Sequence, residues 1–405
     1  MSVFSTVLRG APVPVDRLLP SDEARELIAL TRDIADKVLD PIVDIHEKDE
    51  TYPDGVFAQL GAAGLLSLPQ PEEWGGGGQP FEVYLQVLEE IAARWAAVGV
   101  AVSVHSLSSH ALLAFGTEEQ KQRWLPGMLS GNQIGAYSLS EPQAGSDAAA
   151  LRCAAERVDD GYVLNGSKSW ITHGGVADFY TLFARTGEVS RSGGQERSDR
   201  GNKGSISCFL VPGDLDGLSF GKPEEKMGLH AVPTTSAFYD NARIDADRLI
   251  GAEGQGLPIA FSALDSGRLG IAAVAVGIAQ AALDEATRYA NERTTFGRKI
   301  IDHQGLGFLL ADMAAATISA RATYLDAARR RDLGLPYGQQ ASVAKLIATD
   351  AAMKVTTDAV QVFGGACYTR DYRVERFMRE AKITQIFEGT NQIQRLVIAR
   401  GLTGG

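Results

Sequence analysis

The sequence predicts a mainly α-helical protein with a central β domain, because its hydrophobic pattern changes twice along the 405 residues. Apolar residues recur at helical spacing through residues 21–133 and again from residue 256 to about residue 400. Between these regions, residues 134–250 contain short alternating runs that are rich in β-branched and aromatic residues. A chain of this length fits about two or three packed units rather than one small core.

The helical N-terminal region begins with a capped helix and contains a glycine-rich break. Ser21 or Asp22 can cap a helix over EARELIALTRDIADKVLD, and Pro41 follows its end. Gly75–Gly78 predicts a loop, because a run of glycines loses too much backbone entropy in a regular element. Further helices are predicted over about 54–64, 80–98, 101–115 and 117–129.

The middle and C-terminal regions differ in the spacing of their apolar residues. Runs such as ADFYTLFART and SISCFLVPG, separated by turn residues, are typical of a compact all-β unit. The Ser-, Gly- and Arg-rich insertion Glu188–Lys203 is predicted to be a mobile surface loop. The helical period returns after Gly256, and four long helices in succession predict an antiparallel bundle. These helices are predicted near 256–291, 303–331, 338–366 and 373–402.

Composition and charge exclude several classes of protein. A net charge of −11 argues against a nucleic-acid binder, which needs a basic face to neutralise phosphates. Cys153, Cys208 and Cys367 are odd in number and far apart, which predicts a reducing, cytoplasmic compartment without a disulfide framework or zinc site. The histidines lack metal spacing, so no metal is expected. The N-terminus lacks the apolar run of a signal peptide, and the most apolar stretch, Leu269–Leu283, is shorter than the ~20 residues that span a bilayer.

Two segments of the middle region are candidates for ligand binding. Tyr137–Asp147 (YSLSEPQAGSD) offers hydroxyls, backbone donors and a glycine, although in isolation an ordinary polar loop explains it better. Lys168–Gly174 (KSWITHG) contains residues that alternate as in a strand, so Trp170 and Thr172 are predicted to face one side together. A half-buried structural strand is the alternative explanation for this second segment.

Three segments of the C-terminal region carry charged candidates. Asp265 and Arg268 stand at i and i+3, so they share a helical face and can pair, as routine surface pairs do. Arg293 lies near Phe296 at a predicted helix end, a combination that suits a pyrophosphate and an adenine ring. Glu388 follows an apolar Ile-Phe pair and precedes a glycine, so its carboxylate is predicted to be partly desolvated and a stronger base. The alternative is an exposed Glu on a loop before a helix.

Together and in this order, the five segments resemble the acyl-CoA dehydrogenase family, and the resemblance covers nearly the whole chain. It implies an N-terminal α-helical domain over 1–133, a middle β-barrel domain over 134–250 and a C-terminal four-helix-bundle domain over 251–405. It also implies FAD as the cofactor and an acyl-CoA as the substrate. The expected partners are an electron-transferring flavoprotein as electron acceptor and further copies of the chain in a homotetramer, with neither nucleic acid nor a membrane span.

The resemblance implies a reaction and a role for Glu388. Glu388 would remove the α-proton of the thioester as the β-hydride moves to flavin N5, which gives a trans-2-enoyl-CoA. The thioester carbonyl would accept hydrogen bonds from the Glu388 backbone N–H and a ribityl hydroxyl of FAD. Two alternatives stay open: an acyl-CoA oxidase or flavin monooxygenase-like relative on the same fold, and a catalytically silent scaffold that binds CoA esters.

The resemblance also assigns the binding residues. The isoalloxazine would meet Tyr137, Leu139 and Ser140, together with the strand Trp170, Ile171 and Thr172, of which Thr172 lies near N5. Contacts with the FAD of a neighbouring subunit are implied for Arg293, Thr295, Phe296, His303, Gln304, Gln361, Gly364 and Gly365. Other contacts are implied for Thr390 and Gln392 with FAD, for Ser146 with FAD phosphates or CoA, and for Asp265, Arg268 and Gly389 with substrate.

The chain departs from the family pattern at four positions. Ser140 replaces the usual Thr and keeps its hydroxyl, whereas His173 stands where Asn is usual and leaves the local turn contacts open. Cys367 replaces a glycine of the Gln361–Gly365 segment's turn. Some relatives carry their catalytic Glu at the position of Gly267, which cannot serve as a base, so the base must come from elsewhere.

Overall fold

The computed structural model describes residues 15–187 and 205–403. The predictions made for the first fourteen residues and for the Glu188–Lys203 insertion lie outside these described residues. The N-terminal region is helical, and its first helix is capped as predicted, since Ser21 Oγ accepts from Ala24 N at 3.1 Å. Its helices are α1 (Asp22–Ile34, continued by a π-helical turn Ala35–Leu39), α2 (Val43–Asp49), α3 (Val56–Ala62), α4 (Phe81–Arg94), α5 (Ala96–Phe115) and α6 (Glu118–Leu129).

Eight strands of the middle region form one mixed sheet. They are β1 (Gly135–Ser138), β2 (Ala154–Val158), β3 (Gly161–Thr172), β4 (Phe179–Arg185), β5 (Ile206–Pro212), β6 (Leu218–Phe220), β7 (Thr234–Asp245) and β8 (Leu249–Ile250). Their order is β6-β7-β3-β2-β4-β5-β8, with β1 parallel to β4.

The sheet is open, so the predicted closed β-barrel is not found among the described strands. Closing it would require β6 to pair with β8. These edge strands have only 3 and 2 residues, which gives them few backbone groups to pair. The sheet is also narrow at its centre, where β2 meets β4 through the single pair Ala154 and Arg185.

Five helices and a short hairpin form the described C-terminal region. They are α7 (Gly256–Glu292), the hairpin of β9 (Thr294–Thr295) and β10 (Arg298–Lys299), α8 (Gln304–Asp332), α9 (Gly338–Phe363), α10 (Val374–Thr384) and α11 (Asn391–Leu402). Helices α7, α8 and α9 pack against one another, and α10 packs on α7 and α9. The prediction of one long helix over 373–402 is wrong, because residues 385–390 form a turn between α10 and α11.

Helix α7 is the central element that joins the two helical regions. Its alanines and glycines let α4 and α5 approach its backbone closely: a methyl group added at Gly277 would lie 2.5 Å from Glu89 O, and one at Gly270 would lie 2.3 Å from Ser103 Oγ. Helices α5 and α7 are long and apolar enough to cross a membrane, but 72% of the most apolar part of each is buried in the protein. Both are therefore packed as core helices.

Candidate active site

The segment after β1 is fixed by a buried lysine. Lys168 Nζ donates to Leu139 O at 2.9 Å and to Glu141 Oε1 at 2.8 Å, and both charged side chains are buried. Ser169 N donates to Ser140 O at 2.9 Å and joins this segment to β3. The two middle-region segments singled out in the sequence therefore lie side by side. The Lys168–Glu141 pair was not predicted, because nothing in the spacing of the two residues indicates it.

Strand β3 bulges at Trp170. The β3–β7 register shifts between Lys168 and Ile171, and Trp170 adopts φ 58°. The exposure of Trp170, Ile171 and Thr172 alternates as predicted, since Trp170 is 56% exposed and Ile171 is buried, but the strand is irregular at Trp170. Thr172 is half-buried. The bulge presents the indole ring to solvent as an aromatic surface, and Ile171 faces the sheet core.

His173 replaces a turn residue with a buried ring. Its Nδ1 lies 3.0 Å from Gly135 O, and its ring packs edge-on against Phe57 at a centroid distance of 5.5 Å. Burial lowers the pKa of His173 to about 4, so the imidazole is neutral at physiological pH. His173 therefore ties β3 to β1 and α3 and carries no charge into the site.

Glu388 lies in the turn between α10 and α11 with a strained backbone. It has φ 52°, and Gly389 follows with φ 87°. Thr390 caps α11, because its Oγ1 accepts from Ile393 N at 3.3 Å. Gln394 Nε2 donates to Gly389 O at 2.8 Å. The chain therefore leaves α10, passes through two residues with positive φ and re-enters a helix at Thr390, so Glu388 belongs to neither helix.

The Glu388 carboxylate points at Gly267 on α7. A methyl group added at Gly267 would lie 2.2 Å from Glu388 Oε2 and 3.1 Å from Leu107 Cδ1. Glu388 Oε2 is buried and has no hydrogen-bond partner among residues 15–187 and 205–403. Burial raises the pKa of Glu388 to about 7, and the charges of Lys345 and Arg268 oppose that rise. A carboxylate with these properties is suited to accept a proton near neutral pH.

Two cations approach Glu388. Arg268 NH1 donates to Asp265 Oδ1 at 2.7 Å, as the i and i+3 spacing predicted, but the pair is not a surface pair because the Arg268 side chain is 9% exposed. Lys345 on α9 is fully buried, and its Nζ donates to Gly389 O at 2.9 Å. Sequence reasoning missed Lys345. Its spacing from Ala341 and Ala348, both on the buried face of α9, was the available signal.

A cavity extends from Gly267 between α4, α5 and α7. Its lining mixes apolar and polar side chains, and Arg331 Cζ lies 3.8 Å from the centre of the Phe81 ring. Burial lowers the pKa of His110 to about 4, and His110 Nε2 lies 2.9 Å from Ser262 Oγ. The lining near Gly267 includes Phe81, Tyr84, Leu107, His110, Ser266 and Arg331.

Other predicted binding residues lie far from Glu388, at the opposite end of α7. Arg293 follows α7 and is exposed, and Phe296 at the hairpin turn is 96% exposed. Because α7 rises ~1.5 Å per residue, Arg293 lies ~39 Å along the helix from Gly267. Tyr289 stacks on Phe363 at 4.1 Å, which brings the end of α9 to this same end. Exposed or partly exposed residues here are Thr295, His303, Gln304, Gln361, Gly364 and Gly365.

The predicted site residues thus fall into three groups and an exposed remainder: the two adjacent middle-region segments, the residues near Glu388 and the residues at the far end of α7. Gly389 follows Glu388, and Arg268, paired with Asp265, acts on it by charge. Tyr137 lies close enough to Glu388 that its charge, after burial, contributes to the raised pKa of the Tyr137 hydroxyl. Ser146 and Gln392 are exposed. Among residues 15–187 and 205–403, no group of three or more His, Cys, Asp or Glu side chains that could hold a metal ion is present.

Family models match almost the whole chain. The N-terminal domain of acyl-CoA dehydrogenases matches residues 21–132, the middle domain matches residues 136–242, and the C-terminal domain matches residues 254–403. An acyl-CoA dehydrogenase of Bacillus subtilis is 45% identical over 93% of this chain and 97% of its own. A short-chain specific acyl-CoA dehydrogenase of Clostridium acetobutylicum is 43% identical over 91% of this chain and 95% of its own.

Solved structures agree with these matches. Butyryl-CoA dehydrogenase from Megasphaera elsdenii aligns with a TM-score of 0.90 at 37% identity, over 96% of this chain and 100% of that one. A chain from work on the electron transferring flavoprotein of Acidaminococcus fermentans aligns with a TM-score of 0.90 at 40% identity, over 96% and 99%. Glutaryl-CoA dehydrogenase from Mycobacterium smegmatis, in complex with FADH2, aligns with a TM-score of 0.87 at 28% identity, over 95% of both chains.

Proposed function

The chain belongs to the acyl-CoA dehydrogenase family, and we propose that it converts a short-chain acyl-CoA to the trans-2-enoyl-CoA with Glu388 as the base. It is an oxidoreductase that acts on acyl-CoA, and its cofactor is FAD. One observation carries the assignment of the base: Glu388 Oε2 is buried beside Gly267, which lines the cavity between α4, α5 and α7, and this oxygen has no hydrogen-bond partner among the described residues. A base must keep an oxygen free for the proton that it removes.

The residues present fit a flavin beside this base. The exposed Trp170 ring offers a surface for a planar ring system, and the backbone at Leu139 and Ser140 is held next to it by Lys168 and Ser169. We propose that these residues, with Tyr137 and Thr172, hold the isoalloxazine. When bound, FAD supplies the acceptor for the hydride that leaves the β-carbon.

Two groups of Glu388 act on the same thioester in the proposed mechanism. Its carboxylate removes the α-proton, and its backbone N–H donates to the carbonyl oxygen on which negative charge develops. That N–H has no acceptor among the described residues, so it is free for a substrate carbonyl. Because its pKa is about 7, the carboxyl exchanges a proton readily near neutral pH. Arg268 and Lys345 favour the ionised carboxylate that the reaction requires.

A short acyl chain is supported by the cavity and by the relatives. Phe81, Tyr84 and Arg331 are bulky side chains that line the same cavity as Gly267 and Gly270, which are 3 residues apart on α7. The relative from Clostridium acetobutylicum is short-chain specific, and the relative from Megasphaera elsdenii acts on butyryl-CoA. Removing or adding one methylene in such a pocket changes selectivity by about 1–3 kcal/mol.

The proposed reaction is tested with the purified, FAD-loaded enzyme and a panel of straight, branched and dicarboxylic acyl-CoAs. Enoyl-CoA formation is measured by mass spectrometry, with an electron-transferring flavoprotein or air as the sole electron acceptor. We expect butyryl-CoA to give the highest kcat/KM, and turnover to depend on the flavoprotein. Rapid turnover in air would instead identify an oxidase, and flavin absorbance without turnover of any thioester would identify a silent binding protein.

The proposed partner is an electron-transferring flavoprotein in a reducing, cytoplasmic compartment. The structural relative from Acidaminococcus fermentans belongs to a study of such a flavoprotein, which supports this acceptor. All three cysteines are buried and unpaired, which fits a compartment that keeps thiols reduced.

We propose that the chain forms an oligomer, a tetramer, because Arg293 and Phe296, which the resemblance assigns to FAD, lie ~39 Å along α7 from Gly267. This separation favours contacts of Arg293 and Phe296 with the FAD of a second subunit. We expect analytical ultracentrifugation to give a tetramer, and Arg293→Ala to lose FAD with little change in the unfolding temperature of the apoprotein. An FAD-saturated monomer would contradict the proposal. Arg370→Ala, at another exposed Arg, is the matched control that should keep its FAD.

A further inference from the structure

Lys345 is buried against the turn that carries Glu388. Its side chain is fully buried on α9, and its Nζ donates to Gly389 O at 2.9 Å and to Asn391 Oδ1 at 3.0 Å. Ala341 and Ala348 share the buried face of α9 with Lys345, so this ammonium lies on a face of the helix that is otherwise packed into the protein. A buried ammonium is costly to desolvate, which calls for a reason beyond packing.

The turn needs support because its backbone is strained. Glu388 is a non-glycine residue at φ 52°, a left-handed conformation that persists only where the surrounding structure enforces it. Two donors converge on the next carbonyl: Lys345 Nζ at 2.9 Å and Gln394 Nε2 at 2.8 Å both bond to Gly389 O. Asn391 extends the support, since its side chain is bonded to Lys345 and to Asp350. These hydrogen bonds fix the orientation of the peptide bond between Gly389 and Thr390.

Charged groups on α7, on α9 and in the Glu388 turn act on Lys345. Glu388 in the turn and Asp350 on α9 favour the charged ammonium, whereas Arg268 on α7 opposes it. Asp265 pairs with Arg268, and Arg395 on α11 pairs with Asp350. Burial lowers the pKa of Lys345 to about 8, so the ammonium is mostly charged at neutral pH. Lys345 thus acts on the Glu388 carboxylate by charge while its hydrogen bonds go to the backbone and to Asn391.

We propose that Lys345 is the positioning residue of the catalytic base: Lys345 holds Glu388 in its left-handed conformation and keeps the Glu388 carboxylate ionised. The proposal rests on the proposed function, because it requires Glu388 to be the base. Positioning by a hydrogen bond and ionisation by a positive charge can be tested separately. The hydrogen bond to Gly389 O needs only a donor, whereas the effect on ionisation needs a positive charge.

The test compares Lys345→Met, which keeps length without charge, with the wild-type holoenzyme. We expect kcat to fall about 10- to 100-fold with KM for acyl-CoA nearly unchanged, since a base displaced by ~1 Å reacts slowly. The rising limb of kcat/KM against pH should move upward from about 7 by about one unit, since a nearby cation lowers a carboxyl pKa by that order. FAD content should stay unchanged.

A second readout follows the base without dehydrogenation. Acetyl-CoA has α-protons and no β-hydrogen, so exchange of its methyl protons in D2O, followed by NMR, reports proton removal by Glu388 independently of redox chemistry. Lys345→Met should slow this exchange by a similar factor and shift its pH profile in the same direction. If Glu388→Gln leaves the exchange intact, the proposed function itself fails, whereas loss with Glu388→Gln but not with Lys345→Met overturns only the role of Lys345.

Two more variants separate positioning from simple stability. Thr349→Val removes a buried hydroxyl that bonds Asn391 and carries no charge, so it should lower the unfolding temperature and leave the pH profile in place. Lys345→Gln keeps a donor for Gly389 O without the charge, and it replaces Lys345→Met if that variant does not fold. An unmoved pH limb in both Lys345 variants, with losses matching those of Thr349→Val, would overturn the proposal.

Discussion

Replacing Glu388 by Gln is expected to abolish turnover while the protein keeps its fold and its FAD. Gln has the shape of Glu but no proton-accepting carboxylate, and general-base catalysis contributes about 10²–10⁴-fold. The loss should appear entirely in kcat and in the reduction of the flavin by acyl-CoA in a stopped-flow experiment, because binding contacts are kept. Near-normal rates would show that another group removes the α-proton.

The wild-type pH profile tests the same assignment. Glu388 must be ionised to act as a base, and burial raises its pKa to about 7. We therefore expect kcat/KM to rise tenfold per pH unit below about 7 and to level off above it. Measurement needs a slow substrate, so that chemistry rather than binding limits the rate.

Glu388→Gln should lower activity but raise the stability of the folded protein above pH 4.5. The folded-state pKa of Glu388, about 7, lies above the ordinary value of 4.5, so its contribution to stability is present below pH 4.5 and is lost as pH rises through 7. Glu388→Gln does not titrate and escapes this loss. Its unfolding temperature should therefore exceed that of wild type at pH 8, with the difference shrinking towards pH 4.5.

Glu380 offers a matched control for both measurements. It is a fully buried Glu on α10 whose two carboxyl oxygens have no hydrogen-bond partner among the described residues; Arg376 Nε lies 3.5 Å from Oε1, and burial raises the pKa of Glu380 to about 8. Gln therefore replaces a mostly protonated carboxyl of nearly the same shape. Glu380→Gln should keep kcat within about threefold, because Glu380 lies beside Gly228 and not beside Gly267. A loss as large as that of Glu388→Gln would mean that removing any buried carboxyl disrupts this region.

The sequence identified the turn that carries the proposed base but not its environment. Glu388 was assigned as the base from the resemblance of its segment to the family, and the apolar pair before it and the glycine after it support partial desolvation of its carboxylate. Its free oxygen, its contact with Gly267 and its neighbour Lys345 depend on residues 121 and 43 positions away, and no local period reports such contacts. Lys345 was missed because a single Lys in a helix is ordinarily taken to reach solvent.

The errors in the predicted fold have equally physical causes. A period-2 pattern gives the faces of a strand but not an extra residue, so the bulge at Trp170 was missed. Helical spacing continues on both sides of Glu388, so the break between α10 and α11 was predicted as one helix even though Gly389 marks it. The closure of a sheet depends on pairing between edge strands, and residues within β6 and β8 carry no signal for it.

Replacing Gly267 by Ala is expected to reduce kcat about 10²-fold while leaving the protein at least as stable as wild type. The added methyl would lie 2.2 Å from Glu388 Oε2 and 3.1 Å from Leu107 Cδ1, so the carboxylate must move away. A displacement of ~1 Å at a reacting group costs about 10²-fold in rate. The carboxylate is the end of a flexible side chain, so the move should cost the fold little, and Ala in place of Gly within a helix contributes about 0.5–1 kcal/mol.

Activity and stability therefore change in opposite directions in Gly267→Ala, which separates a displaced base from a damaged fold. Gly307→Ala is the matched control, since Gly307 is also helical and a methyl group there meets only Ile301 O at 3.7 Å. It should gain stability and keep its rate. If Gly267→Ala instead keeps near-wild-type turnover, the α-proton is not removed from the position that Glu388 Oε2 occupies. Lower stability together with lower activity would mean that the methyl group displaces α5 through Leu107 rather than the carboxylate. Unfolding temperatures measured on the same preparations as kcat decide between these outcomes.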